Sequence, residues 1–133
     1  MSMVHDNEIL SYEINLKQNK IVIHTEYQNF NKIENTSIIF YDVLAHLFET
    51  QLSGSIIFEI YNYEIHHFIE ENKEILEKQK NYCWPMYYKT INELEEKLMI
   101  EQYKYFVISS SYGLSGWVLA KKYEINLIET LNE

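Results

Sequence analysis

The sequence predicts an α+β domain: an antiparallel sheet, with a meander in the N-terminal half and further strands at the C-terminus, and two main helices packed on one face. Three observations predict it. Residues 10–27 alternate apolar with polar at the period of half-buried strands, residues 65–76 and 91–98 carry apolar side chains at helical spacing on either side of an interruption at 81–88, and alternation returns beyond residue 103. At 133 residues, without a repeat or a Gly/Ser-rich linker, the chain reads as one domain spanning 1–133.

Leu10, Tyr12, Ile14 and Leu16 alternate with polar residues, and after Gln18-Asn19 so do Ile21, Ile23, Thr25 and Tyr27, the pattern of a hairpin. Thr36 to Tyr41, rich in β-branched and aromatic residues, adds a third strand. Val43, Leu44, Leu47 and Phe48 make one helical face behind an Asp42 cap, which predicts a short helix or turn. Ser55 to Tyr61 reads as a buried strand, and Ile65, Phe68, Ile69, Ile75 and Leu76 as one amphipathic helix. Thr90-x-x-Glu93 has the form of a capping box, ahead of a second helix with Ile91, Leu94 and Leu98 on its apolar stripe. Tyr103 to Ser110 is a strand, Gly113 and Gly116 bracket a turn, and Trp117 to Ala120 and Tyr123 to Leu127 complete the sheet. Leu10, Tyr12, Ile14, Ile21, Ile23, Ile56, Phe58, Phe68 and Leu94 are expected to share one core.

Composition narrows the function. Hydrophobic residues make up 47% of the chain and charged ones 23%, enough apolar material to fold without staples. The longest apolar runs are strand-sized, far short of the ~20 residues of a spanning helix, so no membrane role is expected. All eleven basic residues are lysines, and the net charge is −9. With no guanidinium fork and no basic groove to build, nucleic acid is not an expected partner. The lone cysteine, Cys83, cannot form an internal disulfide and no signal peptide is read at the start, so the expected compartment is the cytoplasm.

The residues that could carry chemistry do not assemble into a known pattern. His5, Asp6 and Glu8 are metal-ligand types, but on an extended chain Asp6 and Glu8 share a face that His5 does not. His66, His67 and Glu70 lack the HExxH geometry, and a solvated helix face explains them. Ser109-Ser110-Ser111 and Cys83 have no orienting base in a recognised signature, and Gly113-Leu114-Ser115-Gly116 lacks a phosphate-loop ending. No catalytic residue, metal or cofactor is therefore expected. The interaction candidate is the aromatic run Tyr82 to Tyr88, with Trp84 and Tyr87 as anchors and Glu70, Glu71, Glu74 and Glu77 steering a basic partner, although a hydrophobic loop sealing one end of the sheet would use the same aromatic residues.

The opening His5-Asp6-Asn7-Glu8-Ile9, followed by a hairpin and by Phe40-Tyr41-Asp42-Val43, resembles the start of small bacterial immunity-type proteins associated with polymorphic toxins. Asp42-Val43-Leu44-Ala45-His46 and Gly113-Leu114-Ser115-Gly116-Trp117 also resemble segments of small proteins from Gram-positive bacteria. Asp42 departs from the glycine often found before that valine. The resemblance implies a non-catalytic protein-binding module that neutralises a toxin by stoichiometric binding. The alternatives are a structural or regulatory scaffold, joined as a homodimer through a sheet edge or aromatic patch, and a small metal-dependent hydrolase.

Overall fold

A computed structural model describes residues 4–132. Over these residues the chain forms β1 (Glu8–Asn15), β2 (Lys20–Asn29), β3 (Lys32–Tyr41), β4 (Ala45–Glu49), β5 (Ile56–Tyr63), α1 (Ile65–Glu71), α2 (Lys73–Gln79), a 3-10 turn (Lys80–Tyr82), α3 (Ile91–Ile100), β6 (Lys104–Tyr112), β7 (Ser115–Ala120) and β8 (Lys122–Asn132). The fold is α+β, with every ladder antiparallel and the strands in the order β4-β7-β6-β5-β1-β2-β3-β8. Among the described residues no helix is long and apolar enough to cross a membrane.

This sheet cannot lie flat. β7 and β8 stand toward opposite ends of the order, yet Lys121 alone joins them, and residues 42–44 alone join β3 to β4. At about 4.8 Å per strand, the step from β6 to β3 spans ~19 Å across a flat sheet. The rings of Phe106 on β6 and Phe40 on β3 are 5.5 Å apart, and Phe106 lies 4.9 Å from Tyr123 on β8. The sheet therefore doubles over, with β4-β7-β6-β5 facing β1-β2-β3-β8. The fold line is the thin joint of β1 with β5, where Glu8 opposes Ile56. There the Asp6 N–H donates to the Ile57 carbonyl at 2.8 Å and the Ile57 N–H to the Asn7 carbonyl at 2.9 Å.

A first core fills the doubled sheet: Ile21, Ile23, Ile38 and Phe40 from one half meet Ile57, Phe106, Ile108 and Val118 from the other. A second core lies on the outer face of β4, β7 and β6, where Ala45, Tyr105, Trp117 and Leu119 meet Phe68, Ile69, Leu76, Leu94 and Leu98 of the helices. The expected single core is thus two, and Phe68 and Leu94 belong to the second. Of the other expected core residues, Leu10, Ile14 and Phe58 are exposed. Bulges explain two of these. The register slips between Ile9 and Ser11 and between Ile57 and Glu59, leaving Leu10 and Phe58 as extra residues without a partner across the ladder. Each extra residue reverses the alternation, so that Ile57 and Ile60 point inward in place of Ile56 and Phe58.

The short helix expected at residues 42–48 is instead β4. Asp42 adopts the left-handed conformation (φ 54°) that favours glycine and turns the chain out of β3. Beyond it Val43 and Phe48 pack on the first core, and Leu44 and Leu47 on the second. A strand buried on both faces has the same adjacent apolar pairs as a helix stripe. The first expected helix is broken into α1 and α2 at Asn72 (φ −121°, ψ 23°). The buried Asn72 amide donates to the Phe68 carbonyl at 3.0 Å and to the Tyr105 hydroxyl at 3.3 Å, which anchors the break to β6. α3 begins as expected: the Thr90 hydroxyl accepts from the Glu93 N–H at 3.2 Å.

Replacing Phe106, fully buried between the two halves, by Ala is expected to cost about 3–5 kcal/mol in reversible urea denaturation, whereas Phe58→Ala on the outside is expected to cost less than about 1 kcal/mol. Equal losses would show that the bulged phase of β5 is wrong.

Candidate functional site

The opening motif is built into the fold line. Asp6 is left-handed (φ 69°), the His5 Nδ1 lies 2.6 Å from the Phe58 carbonyl, and His5 Nε2 is 3.5 Å from the Asp6 carboxylate. Buried Asn7 donates from its amide to the Thr25 hydroxyl at 3.0 Å, which in turn donates to the Thr36 carbonyl at 3.0 Å. The motif thus ties β1 to β5 and, through Asn7, to β2 and β3. Glu8 stands in the ladder and joins no ligand set. Among the described residues no three His, Cys, Asp or Glu side chains stand together as a metal site requires.

One cross-strand arrangement has the residue types of a hydrolytic relay. The Ser37 hydroxyl is 3.3 Å from His24 Nδ1, and His24 Nε2 is 3.7 Å from the Glu13 carboxylate. Ser37, however, is buried in the middle of β3 and paired on both sides, to His24 and to Asn126. No pair of backbone N–H groups at Ser37 is left to hold an oxyanion, and no elbow lifts its hydroxyl toward a substrate. Ser55 and Ser110 serve the β6–β7 turn, and Ser111 reaches β5. Ser110 donates to the Leu114 carbonyl and Ser111 to the Ile56 carbonyl at 3.4 Å, while the Leu114 N–H donates to the Ser55 hydroxyl at 2.8 Å. A Cβ on Gly113 would stand 2.1 Å from that hydroxyl, and one on Gly116 2.0 Å from the Leu47 carbonyl, so these glycines permit close packing. His66 and His67 are exposed on α1, their rings 4.1 Å apart. His46 lies on β4, where burial holds its pKa below the ordinary value. Cys83 is exposed and left-handed (φ 56°) at the end of the 3-10 turn.

The helical layer carries the candidate interaction surface. Of the expected anchors, Tyr87 is exposed, but Trp84 is half-buried, its ring 5.9 Å from Trp117 against the second core. Glu70, Glu74 and Glu77 are exposed along α1 and α2. Glu71 is exposed too, but its carboxylate accepts from the Tyr105 hydroxyl at 3.0 Å, an intramolecular role. Sequence reasoning missed Met99 and Ile100, which are 58% and 71% exposed on the last turn of α3. They follow Leu98 but fall outside the stripe of Ile91, Leu94 and Leu98, and apolar residues off the core face of a helix were the available signal. Ile100 forms the ridge between two grooves. One, of about 410 Å³, is lined by Asn92, Glu95, Glu96 and Met99, and the other, of about 370 Å³, by Met86, Lys97 and Glu101. Lys97 donates to the Tyr87 carbonyl at 3.2 Å and pairs with Glu93 at 2.9 Å. The Lys97 ammonium, hydrogen-bonded to the Glu93 carboxylate, and the Lys89 N–H hold that carboxyl below the usual carboxylate range.

A separate polar recess of about 490 Å³ opens where three chain links meet, between β5 and α1, α3 and β6, and β7 and β8. Lys104, Lys121, Tyr63 and Tyr103 line it together with Glu64. Lys121 stands 5.2 Å over the Tyr103 ring. Burial, Glu101 and Asp42 raise the Tyr103 phenol above its ordinary pKa.

No family model, no curated protein and no solved structure matches this chain.

Burial raises the Tyr105 phenol to about 12, with Glu71 adding to the rise and the Asn72 hydrogen bond opposing it. Its folded pKa lies above the unfolded value of about 10, so its contribution to stability is complete below about pH 10 and is lost as pH rises toward the folded pKa. The urea midpoint of the wild type is expected to fall more steeply than that of Tyr105→Phe between about pH 9.5 and pH 11.5. Parallel curves would exclude Tyr105 as the linked group.

Proposed function

We propose that this chain is a non-catalytic protein-binding module that acts as an immunity protein, neutralising a bacterial toxin by stoichiometric binding in the cytoplasm. The observation that carries this reading is exposed Met99 and Ile100 on α3, with exposed Tyr87 held beside the same helix by Lys97, whose Nζ stands 5.6 Å over its ring. These side chains are large and beyond what either core uses, and an apolar patch with a polar rim is how a protein surface meets another protein. Glutamates stand around it, and the net charge of −9 favours rapid encounter with a basic partner. An inhibitor that covers a toxin's active site requires no catalytic group of its own. The exposed free thiol of Cys83 suits a reducing compartment. The resemblance of residues 5–9 and 40–43 to immunity-type proteins points to a toxin as the partner.

A second reading rests on β8. This eleven-residue edge strand has β3 as its ladder partner among the described residues, and it exposes Leu127 and Ile128. Pairing of two such edges would make a homodimeric scaffold.

Co-expression with any toxin domain found encoded beside this gene is the test. Growth is expected to be restored, and the two chains are expected to co-elute as a one-to-one complex in gel filtration. Failure both to bind and to protect would overturn the immunity reading, and a dimer broken by Leu127→Lys would put the scaffold in its place.

A further inference from the structure

The ridge and grooves on α3 narrow the kind of partner. Three of the four charged side chains lining the grooves are acidic: Glu95, Glu96 and Glu101. The fourth, Lys97, is already held by Glu93 and by the Tyr87 carbonyl. The two grooves therefore present exposed apolar side chains between carboxylates with their one lysine engaged, and on its other side Met99 borders the recess that holds Lys104 and Lys121. Resting on the protein-binding reading, we infer that this face docks a basic amphipathic segment of the partner, whose apolar side chains enter the grooves on either side of Ile100 while its lysines or arginines meet Glu95, Glu96 and Glu101.

Charge decides between occupants. In a symmetric contact between two copies the same patch meets itself, so the three glutamates of one copy would face the three of the other while burying the same apolar ridge. A basic segment gains from the same carboxylates, first by steering and then by pairing. The apolar side chains supply the anchor and the rim supplies register. Glu70, Glu74 and Glu77 on α1 and α2 extend the negative field beyond the site and lie outside the grooves.

The test is an amide-resolved NMR titration of the full chain with a synthetic helical peptide of about 15 residues, built of Leu and Lys, beside its Leu and Glu counterpart. Saturable shifts confined to α3 and residues 86–87 are expected with the Lys peptide and none with the Glu peptide. Ile100→Asp, on an exposed last turn, is expected to weaken the Lys peptide at least about tenfold with an unchanged thermal midpoint. Glu95→Lys with Glu96→Lys is expected to weaken it and flatten its salt dependence. Phe30→Asp, 93% exposed on the β2–β3 turn, is expected to change nothing. Shifts mapping elsewhere, equal binding of both peptides, or indifference to Ile100→Asp would overturn the inference, as would self-association abolished by Ile100→Asp. If protection against the toxin persists while the peptide fails, the docking face falls and the binding-module reading stands.

Discussion

Two crossings hold the architecture in place: residues 42–44 between β3 and β4, and Lys121 between β7 and β8. They lie side by side, with the Lys121 N–H donating to the Tyr41 carbonyl at 3.1 Å and the Leu44 N–H to the Leu119 carbonyl at 2.8 Å. Links this short cannot run around the outside of an eight-stranded sheet, so the two halves must face each other. The interior apolar faces then have each other as partners, and no helix is needed to cover them. That leaves the helices free to build a second core on the outside of β4, β7 and β6. The outward surface of that helical layer is consequently remote from the folding requirements of the doubled sheet.

Much of this was readable in the chain, and what was not has identifiable causes. Alternation found β1 and β2, β-branched and aromatic residues found the second half of β3, and Thr90 with Glu93 found the start of α3, because local chemistry decides each. Single inserted residues defeated the inward list at Leu10 and Phe58, since a bulge has no side-chain signature and reverses every side chain beyond it. Asn72 broke a helix that apolar spacing made continuous, because its amide found partners in Phe68 and, across the fold, in Tyr105. β4 imitated a helix stripe because two cores claim its opposite faces. These are tertiary decisions, and periodicity along one segment does not contain them.

The same division governs the candidate surface. The aromatic run at 82–88 was visible as composition, but its members serve different ends: Trp84 leans on Trp117, Tyr88 is buried with its hydroxyl donating to the Leu76 carbonyl at 3.1 Å, and Tyr87 faces out. Only packing separates them. Met99 and Ile100 face out because the second core takes Leu94 and Leu98 from the other side of α3. The opening motif went the other way. His5, Asp6 and Glu8 are of metal-ligand types, yet His5 and Asp6 meet the Phe58 and Ile57 carbonyls, Glu8 stands in the ladder and Asn7 between them meets Thr25, so such a motif can mark a joint of the sheet.

Charge and exposed apolar area are best understood together. Tyr87, Met99 and Ile100 on an otherwise neutral surface would draw copies of the chain into contact, since the apolar gain is non-directional. Glu95, Glu96 and Glu101 beside them make that self-contact unfavourable, and the absence of any arginine removes the residue best suited to bridge two such faces. The repulsion disappears when the opposing surface is basic. A patch that is apolar at its centre and acidic at its rim therefore discriminates by the sign of its partner, which a patch of the same area without the glutamates would not do.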